Sequence, residues 1–384
     1  MSTPLVAVGS KAQAELAHGV ELPSVSIVTP TYREALNIPG LLARVAAVRE
    51  SSGLDIELLI MDDSSNDGSV EAVAAAGLPW ARIVVRTEDR GLSPAVVAGL
   101  RLAKNEVIVV MDADLSHPPE KIPEMVLALL GGQQFIIGSR YVPGGSTDDD
   151  WGIARWLNSR VATLLARPLT SARDPMAGFF AFRRRDLERV RDLNPIGYKI
   201  GLELIVKCEF ENVGEVPIHF VDRELGESKL TLKEQLLYLK HLRRLYIFKF
   251  GTWTHLAQFL AVGASGLVVN LVVLTLLLRA GIASSVAVAA AIATSMLSNF
   301  ALNRRFTFTY ARHGNPWKQL AGFVAASTVG AVINYAVTLW IARAVPEVSI
   351  QWAAVVGVAS GMGFNFLANR FVVFRERWVR PGEP

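Results

Sequence analysis

Four stretches of this chain, Leu256 to Leu278, Ala280 to Asn303, Gln319 to Ala342 and Val348 to Asn369, contain no Asp, Glu, Lys or Arg. Each is long enough to cross a hydrocarbon layer, which takes about 20 apolar residues. A buried core helix can imitate one such run. Four in succession predict four transmembrane helices and an integral membrane protein. The short connections set the direction. The loop from Arg304 to Lys318 carries Arg304, Arg305, Arg312 and Lys318 with no acid, and the end of the chain adds Arg370, Arg375, Arg377 and Arg380. The other two connections offer only Arg279 and Arg343, the latter near Glu347. Basic connections stay in the cytoplasm, so both termini and the long segment before the first run are expected there.

The four runs form two copies of one hairpin. "WTHLAQF" from Trp253 pairs with "WKQLAGF" from Trp317, and "GLVVN" ending at Asn270 with "GAVIN" ending at Asn334. "SNFALNRRFTF" then pairs with "GFNFLANRFVVF", setting Asn299, Asn303 and Arg304 against Asn365, Asn369 and Arg370. Shared apolar composition could produce the Leu and Ala matches but not Trp, Asn and Asn-Arg in order. The pattern resembles the GtrA-like family of small four-helix membrane domains, over residues 253–374. Asn270 and Asn334 are expected to join helices by hydrogen bonding. Asn303-Arg304 and Asn369-Arg370 either anchor helix ends or bind lipid phosphate, and the sequence leaves both open.

Composition narrows the rest. Of 384 residues, 51% are hydrophobic, and the net charge is only +4. That charge, without a patterned basic face, gives no support for a nucleic-acid partner. The single Cys208 rules out an intramolecular disulfide and a thiolate zinc cluster. Residues 1–23 lack a basic segment followed by a sustained apolar one, so they read as a mobile tail with no secretory signal.

From Ser24 onward, strand and helix alternate. "VSIVT", "IELLIM", "ARIVV", "VIVVM" and "FIIGS" are strands, with helical spacing over Leu36 to Arg49, Ser93 to Lys104 and Glu120 to Leu130. This implies a mostly parallel α/β sheet covered on both faces. "PTYRE" follows the first strand, "DDSSNDGS" the second and "DADLSH" the fourth, so all three gather on one sheet edge, where ligands bind in such folds. A buried strand cannot carry unpaired charge cheaply. Asp112 and Asp114 must therefore mark where the fourth strand leaves the core, and two acids there suggest a divalent cation. For "DDSSNDGS" alone, ordinary turn and helix-cap chemistry is the favoured reading.

The ordered series "PTYREALNI", "DDSSNDGS", "RGLSPAVVAG", "MDADLSHPPE", "GSRYVPGG", "DPMAGFFAFRR", "GYKIGLELIVK" and "GESKL" resembles the family-2 glycosyltransferases. It is most similar to their polyprenyl-phosphate branch, the dolichyl-phosphate mannose synthase type, over Ser24 to Leu230. The resemblance implies a GT-A-type, Rossmann-like domain and an inverting, metal-dependent hexosyl transfer from a nucleotide sugar to a polyprenyl (dolichyl) phosphate. Mannose from GDP-mannose is the first expectation and glucose from UDP-glucose the alternative. It also implies roles. Asp112 and Asp114 would hold Mg²⁺ or Mn²⁺ against the donor's diphosphate. Relatives commonly carry Gln where this chain has Ser116, which alters the third ligand position. Pro30, Tyr32, Glu34, Asp62 and Asp63 match positions that cradle base and ribose. Arg223, Ser228 and Lys229 match the region that closes over the pyrophosphate, and Arg140 and Arg155 are candidates for the acceptor's phosphate. A phosphate monoester is already largely dianionic at neutral pH, so no general base is required. Asp174 and Glu203, both in family motifs, are read as positioning groups.

Two amphipathic segments explain how a lipid reaches such a site. "IARWLNSRVATLLARPL" puts Ile153, Trp156, Leu157, Val161, Leu164 and Leu165 on one helical face, with Arg155, Arg160 and Arg167 elsewhere. "LKEQLLYLKHLRRLYIFKF" mixes Leu and aromatics with five cations just before the first span. Both read as interfacial helices. The expected organisation is a tail (1–23), a catalytic domain (24–230), a juxtamembrane segment (231–252), a membrane domain (253–374) and a cytoplasmic tail (375–384), with room for a homo-oligomer. A lipid-linked sugar transporter with a regulatory cytoplasmic domain is the rival of another class, against which the intact "DADL" and "GESKL" argue. A processive polysaccharide synthase lacks its Gln-x-x-Arg-Trp motif here.

Overall fold

In a computed structural model of the chain, residues 22–147, 153–190, 192–197, 199–221 and 232–375 are described. The chain divides into two compact units, Met1–Lys249 and Phe250–Pro384. In the first, the elements run β1 (Val25–Thr31), α1 (Ile38–Ser52), β2 (Ile56–Asp62), α2 (Ser69–Ala76), β3 (Ala81–Val85), α3 (Leu92–Leu102), β4 (Val107–Val110), α4 (Ile122–Leu130), β5 (Phe135–Ser139), β6 (Ser146–Thr147) and α5 (Ile153–Ala166). They continue through β7 (Phe180–Arg183), α6 (Ile200–Lys207), β8 (Val213–Pro217), β9 (His219–Phe220) and α7 (Leu232–Phe250).

Seven strands form one sheet in the order β3-β2-β1-β4-β7-β5-β8, and β6 pairs with β9 apart from it. β1 lies parallel to β2 and β4, in register Val25↔Ile56 and Val25↔Val107. β7 is antiparallel to both β4 and β5, so β5 runs with β4. The C-terminal ends of β1, β2, β4 and β5 therefore share one edge, and β7 enters from it. All five strands foreseen from the sequence are present. β7 and β8 were not foreseen: "FAFR" is short and ends in Arg, while "VGEVP" carries Gly, Glu and Pro, weak strand formers tolerated at a sheet edge.

The sheet is buried on both faces. Ile38, Leu41 and Val45 of α1 and Met125 of α4 cover one face. On the other, Val96 and Leu100 of α3 and Leu204 and Ile205 of α6 pack with Phe135, Phe180, Phe182 and Phe210. Gly99 allows α3 this close approach, because a Cβ there would overlap Val28 and come within 3.1 Å of Met61 Cγ. α7 buries His241, Leu242 and Leu245. It is tied along α5 and the turn after it by Tyr238 Oη donating to Ala162 O (2.7 Å), Tyr246 Oη to Leu165 O (2.8 Å) and Lys249 Nζ to Leu169 O (2.7 Å). Val161, Leu164 and Leu165 of α5 and Leu236, Leu239 and Phe248 of α7 remain exposed. Both amphipathic segments are thus helices with one packed face and an apolar face left in the open.

The second unit holds α8 (Thr252–Arg279), α9 (Ser284–Leu302), α10 (Pro316–Ala344) and α11 (Ile350–Ala368). α8 packs on α9 and α10 on α11, giving the two hairpins. Among the described residues three helices, Thr252–Arg279, Ser284–Thr307 and Pro316–Ala344, are long and apolar enough to cross a membrane, where the sequence predicts four. α11 has 19 residues and no charged side chain. The internal repeat is visible in the backbone. α9 and α11 each run on into one π-helical turn, Asn303–Thr307 and Asn369–Val373. Each turn closes with a 2.8 Å bond, from Phe308 N to Asn303 O and from Phe374 N to Asn369 O.

At that end the hairpins are cross-linked. Phe308 stacks on Phe374 at 4.9 Å. Arg304 Nε donates to Gln319 Oε1 of the other hairpin (2.9 Å), and Gln319 Nε2 returns a bond to Ala311 O (2.8 Å). Arg370 bonds Tyr310 Oη with its guanidinium over the ring, and Tyr310 meets His255 edge-on. The two arginines anchor helix ends, which favours that alternative over lipid phosphate. Asn334 Oδ1 accepts from Thr338 of its own helix rather than across an interface. Glycines do the joining instead: a Cβ on Gly330 would lie 2.9 Å from Gly361 O, and one on Gly361 would lie 3.1 Å from Asn334 Cβ.

Candidate active site

The edge where β1, β2, β4 and β5 end opens into a cleft of about 1100 Å³ within the first unit. Among the described residues, five of the six non-glycine residues with positive φ lie in the loops leaving that edge: Arg33, Ser64, Asn66, Asp89 and Leu115. Backbone held in that sparsely populated region clusters at functional sites. The two inner loops brace one another. Asp62 Oδ2 accepts from Ser65 N (2.9 Å), Arg33 N donates to Ser65 Oγ (2.9 Å), and Ala35 N donates to Asp67 Oδ2 (3.0 Å). The turn chemistry favoured for "DDSSNDGS" is therefore what most of that stretch performs. Asp62, a candidate nucleotide ligand, shapes the loop and does not line the cleft.

Pro30, Tyr32, Glu34 and Asp63 do line it. Asp63 is bound to Arg86 and to the Gly91 N–H, which fixes the "RGLSP" loop at the cleft wall. Tyr32 carries the guanidinium groups of Arg33 and Arg90 at 5.2 and 5.4 Å from its ring centre. Arg90 also lines the cleft and was not singled out from the sequence.

β4 is buried throughout and ends at Val110; Met111 and Ala113 stay in the core while Asp112 and Asp114 face the cleft. The carboxylates emerge where the strand leaves the sheet, as their cost inside it requires. Ser116 donates twice to Asp114 Oδ1, from N (3.1 Å) and Oγ (2.5 Å), so it orients that carboxylate. His117 is buried, stacked on Phe179 (5.4 Å) and edge-on to Phe220 (5.7 Å), and its Nδ1 accepts the Asp112 N–H at 3.0 Å. An accepting Nδ1 carries no proton, so the Asp112 carboxylate 3.7 Å away faces a neutral ring. A Cβ on Gly178 would lie 3.5 Å from Asp112 Oδ2, so the glycine keeps that side open.

The donor set fits Mg²⁺ or Mn²⁺. Both acids offer hard oxygens to the cleft, and such ions take one or two carboxylates and leave other positions to water and substrate phosphate. Among the described residues no group of three or more His, Cys, Asp or Glu forms a closed cage.

Opposite the acids stands Arg140. Its Nε and Nη2 each reach Asp174 at 2.8 Å, and its backbone N–H adds a third bond to Asp174 Oδ2 at 3.1 Å. Burial opposes its charge, but the Asp174 carboxylate more than compensates and holds it above its ordinary value. Asp174 is thereby the holder of Arg140. Glu203 is buried away from the cleft, accepting from Asn194 N (2.7 Å) and paired with Lys207 (2.7 Å). Lys199 lines the cleft and went unrecognised within "GYKIG"; its one signal is a cation placed just before a helix of apolar residues. The Arg155 side chain and Arg223, Ser228 and Lys229 lie outside the described residues.

Residues 26–191 match the family described as "Glycosyl transferase family 2". A "Dolichol-phosphate mannosyltransferase" of Pyrococcus furiosus is 37% identical over 355 residues, covering 91% of this chain and 99% of that protein. The chain belongs to glycosyl transferase family 2. This glycosyltransferase also matches, over residues 258–376, the family described as "GtrA/DPMS, transmembrane domain". Together with its three long apolar helices, that makes it an integral membrane protein. A "Dolichol-phosphate mannosyltransferase" of Saccharomyces cerevisiae is 44% identical over 236 residues, 59% of the glycosyltransferase and 88% of that protein. A crystal structure of glucosyl-3-phosphoglycerate synthase from Mycobacterium tuberculosis, in complex with Mn²⁺, UDP and phosphoglyceric acid, aligns with a TM-score of 0.46 at 19% identity, covering 65% of this chain and 84% of that one.

Proposed function

We propose that this glycosyltransferase moves mannose from GDP-mannose to the phosphate of a polyprenyl lipid of the dolichyl type, with inversion at the anomeric carbon, at the cytoplasmic face of a membrane. The observation that carries the reading is the likeness to a dolichol-phosphate mannosyltransferase over 99% of that protein's length. The cleft supports it. Asp112 and Asp114 face the cleft from the strand end, where they would hold a divalent ion, and Arg140 offers a cation within the same cavity. Bound there, Mg²⁺ or Mn²⁺ would neutralise charge on the departing nucleoside diphosphate.

The protein's own groups do the remainder. Arg140 is held rigid by Asp174, and a planar guanidinium suits the orienting of an acceptor phosphate. Asp174 is committed to Arg140, and Glu203 to Lys207 and Asn194. Neither is placed to take a proton, in keeping with an acceptor that is already anionic. The open apolar faces of α5 and α7 are suited to lie against a lipid surface. Four spans, with the basic loop Arg304 to Lys318 in the cytoplasm, complete the proposal. Exposed Trp253 and Trp317 near the starts of α8 and α10, and Trp340 and Trp352 at the opposite helix ends, are placed as interfacial aromatic belts would be.

Membranes containing the protein should transfer label from GDP-mannose, and not from UDP-glucose, to added polyprenyl phosphate when Mg²⁺ or Mn²⁺ is present. Asp114→Ala should abolish it. Label from UDP-glucose alone would replace the donor. No lipid label from either, with folded protein that binds both nucleotides, would remove the catalytic reading.

A further inference from the structure

The segment 192–197 between β7 and α6 is strapped in place from three sides. Asn194 N donates to Glu203 Oε1 (2.7 Å), Arg244 Nη1 of α7 donates to Asn194 O (2.9 Å), and Ile196 N donates to His241 Nδ1 of α7 (3.3 Å). Ser93 Oγ closes the last side on Gly197 O. So many bonds on one irregular segment fix what it carries, and it carries Lys199 into the cleft.

We infer that Lys199 is the second cation, beside Arg140, that seats the phosphate of the lipid acceptor. Lys199 Nζ has one partner among the described residues, the Met176 carbonyl at a long 3.4 Å, and no ion pair. Lys121 and Lys207, in contrast, hold carboxylates at 2.8 and 2.7 Å. A half-buried ammonium without a counterion is costly unless an anion comes to it. Among the described residues the charged groups around it are Arg140, Asp174, Asp112 and Glu234 of α7, and of these Asp174 is already spent on Arg140. Burial, then Arg140, pushes the Lys199 ammonium down to about 8 against the pull of Asp174, Asp112 and Glu234. A bound phosphate dianion would reverse that push.

The side of the cleft decides which phosphate. The strap bearing Lys199 is bonded to α7, and α7 and α5 contribute Tyr238, Leu239, Val161 and Leu165 to the same cavity. This is its apolar flank, where an isoprenoid would enter. A guanidinium fork and an ammonium point charge can hold two oxygens of a monoester dianion and leave the third free to attack. The inference rests on the proposed transfer to a polyprenyl phosphate and adds Lys199 to it.

The test uses full-length protein in detergent with GDP-mannose, polyprenyl phosphate and, separately, GDP binding. Lys199→Met should raise the acceptor KM about tenfold or more, the worth of one charge-assisted contact. Donor KM and GDP affinity should stay within about twofold, and Lys199→Arg should recover most of the loss. In the wild type the acceptor KM should climb above about pH 8, as Lys199 deprotonates, and Lys199→Met should lack that climb. Should Lys199→Met fail to fold, Lys199→Gln carries the same comparison. GDP affinity falling as far as acceptor affinity would assign Lys199 to the leaving diphosphate and overturn the inference, as would an unchanged acceptor KM in an active variant. Wild-type protein that labels no polyprenyl phosphate would sink the functional proposal first and this one with it.

Discussion

Asp174→Asn isolates the value of one buried charge pair. The side chains of Arg140 and Asp174 are 12% and 0% exposed, and the carboxylate accepts three bonds from Arg140. Removing the charge on one partner strands the other in a poorly solvated place, which costs about 3–5 kcal/mol. Asn keeps one accepting oxygen, so the lower end, about 3 kcal/mol, applies. Hydrogen exchange followed by mass spectrometry reads this locally, through amides of β4, β5 and β7. Those that exchange by global opening of the first unit should do so about a hundredfold faster. The pair Arg44–Glu120 supplies the contrast. It is similarly short at 2.6 Å, but its side chains are 35% and 53% exposed. Glu120→Gln should cost under about 1 kcal/mol, a change of less than about fivefold. If Asp174→Asn moved those amides no more than Glu120→Gln, the cleft would be wet enough to screen the pair, and the case for a rigid Arg140 would fall.

Three further outcomes follow from the geometry. Ser116→Ala removes the hydroxyl bond to Asp114 Oδ1 and should raise the concentration of Mn²⁺ needed for half-maximal activity about tenfold, typical for a group that orients a ligand, with thermal stability retained; an unchanged metal requirement would leave the hydroxyl without a role. Gly99→Ala forces a methyl into Val28 and should destabilise the first unit by about 1–3 kcal/mol, seen as faster exchange in β1, whereas wild-type exchange there would mean α3 can shift freely. Burial holds the His241 ring below its ordinary 6.5, with Glu203 opposing and Arg244 and Lys207 reinforcing. The folded state thus binds fewer protons, and the stability this contributes above 6.5 is lost as pH falls below it. His241→Gln should flatten that part of the fall in melting temperature between about pH 7 and 5, and an equally steep fall in the variant would refute it.

Most of the fold and the centre of the site could be read in advance, for physical reasons. Central strands such as "VSIVT" and "VIVV" are buried on both faces and so carry no charge and mostly β-branched apolar residues, which declares them, and the acids at Asp112 and Asp114 declare where the last one stops. β8 was invisible because an edge strand tolerates the Gly, Glu and Pro that argue against a strand. Asp62 and Asp63 look alike in sequence, yet one caps its own loop and the other faces the cleft, a difference set by which face of the turn each leaves from. Lys199 was missed because a cation ahead of a helix looks ordinary until its lack of an ion pair among the described residues is seen. The role of Asp174 depended on Arg140, 34 residues away, a pairing that only the sheet creates.

The crossed bonds of the membrane unit constrain how it can be made. Arg304 leaves the ribosome before Gln319, and Tyr310 long before Arg370, so neither arginine's side-chain partner lies in its own hairpin. Arg304 can first bond the Arg312 and Gly314 carbonyls of the connecting loop, but its contact with Gln319 must wait until the second hairpin begins. A chain cut after α9 would keep a greasy hairpin but lose the contacts that finish its end. The duplicated halves have become interdependent parts, and neither could serve as a spare for the other.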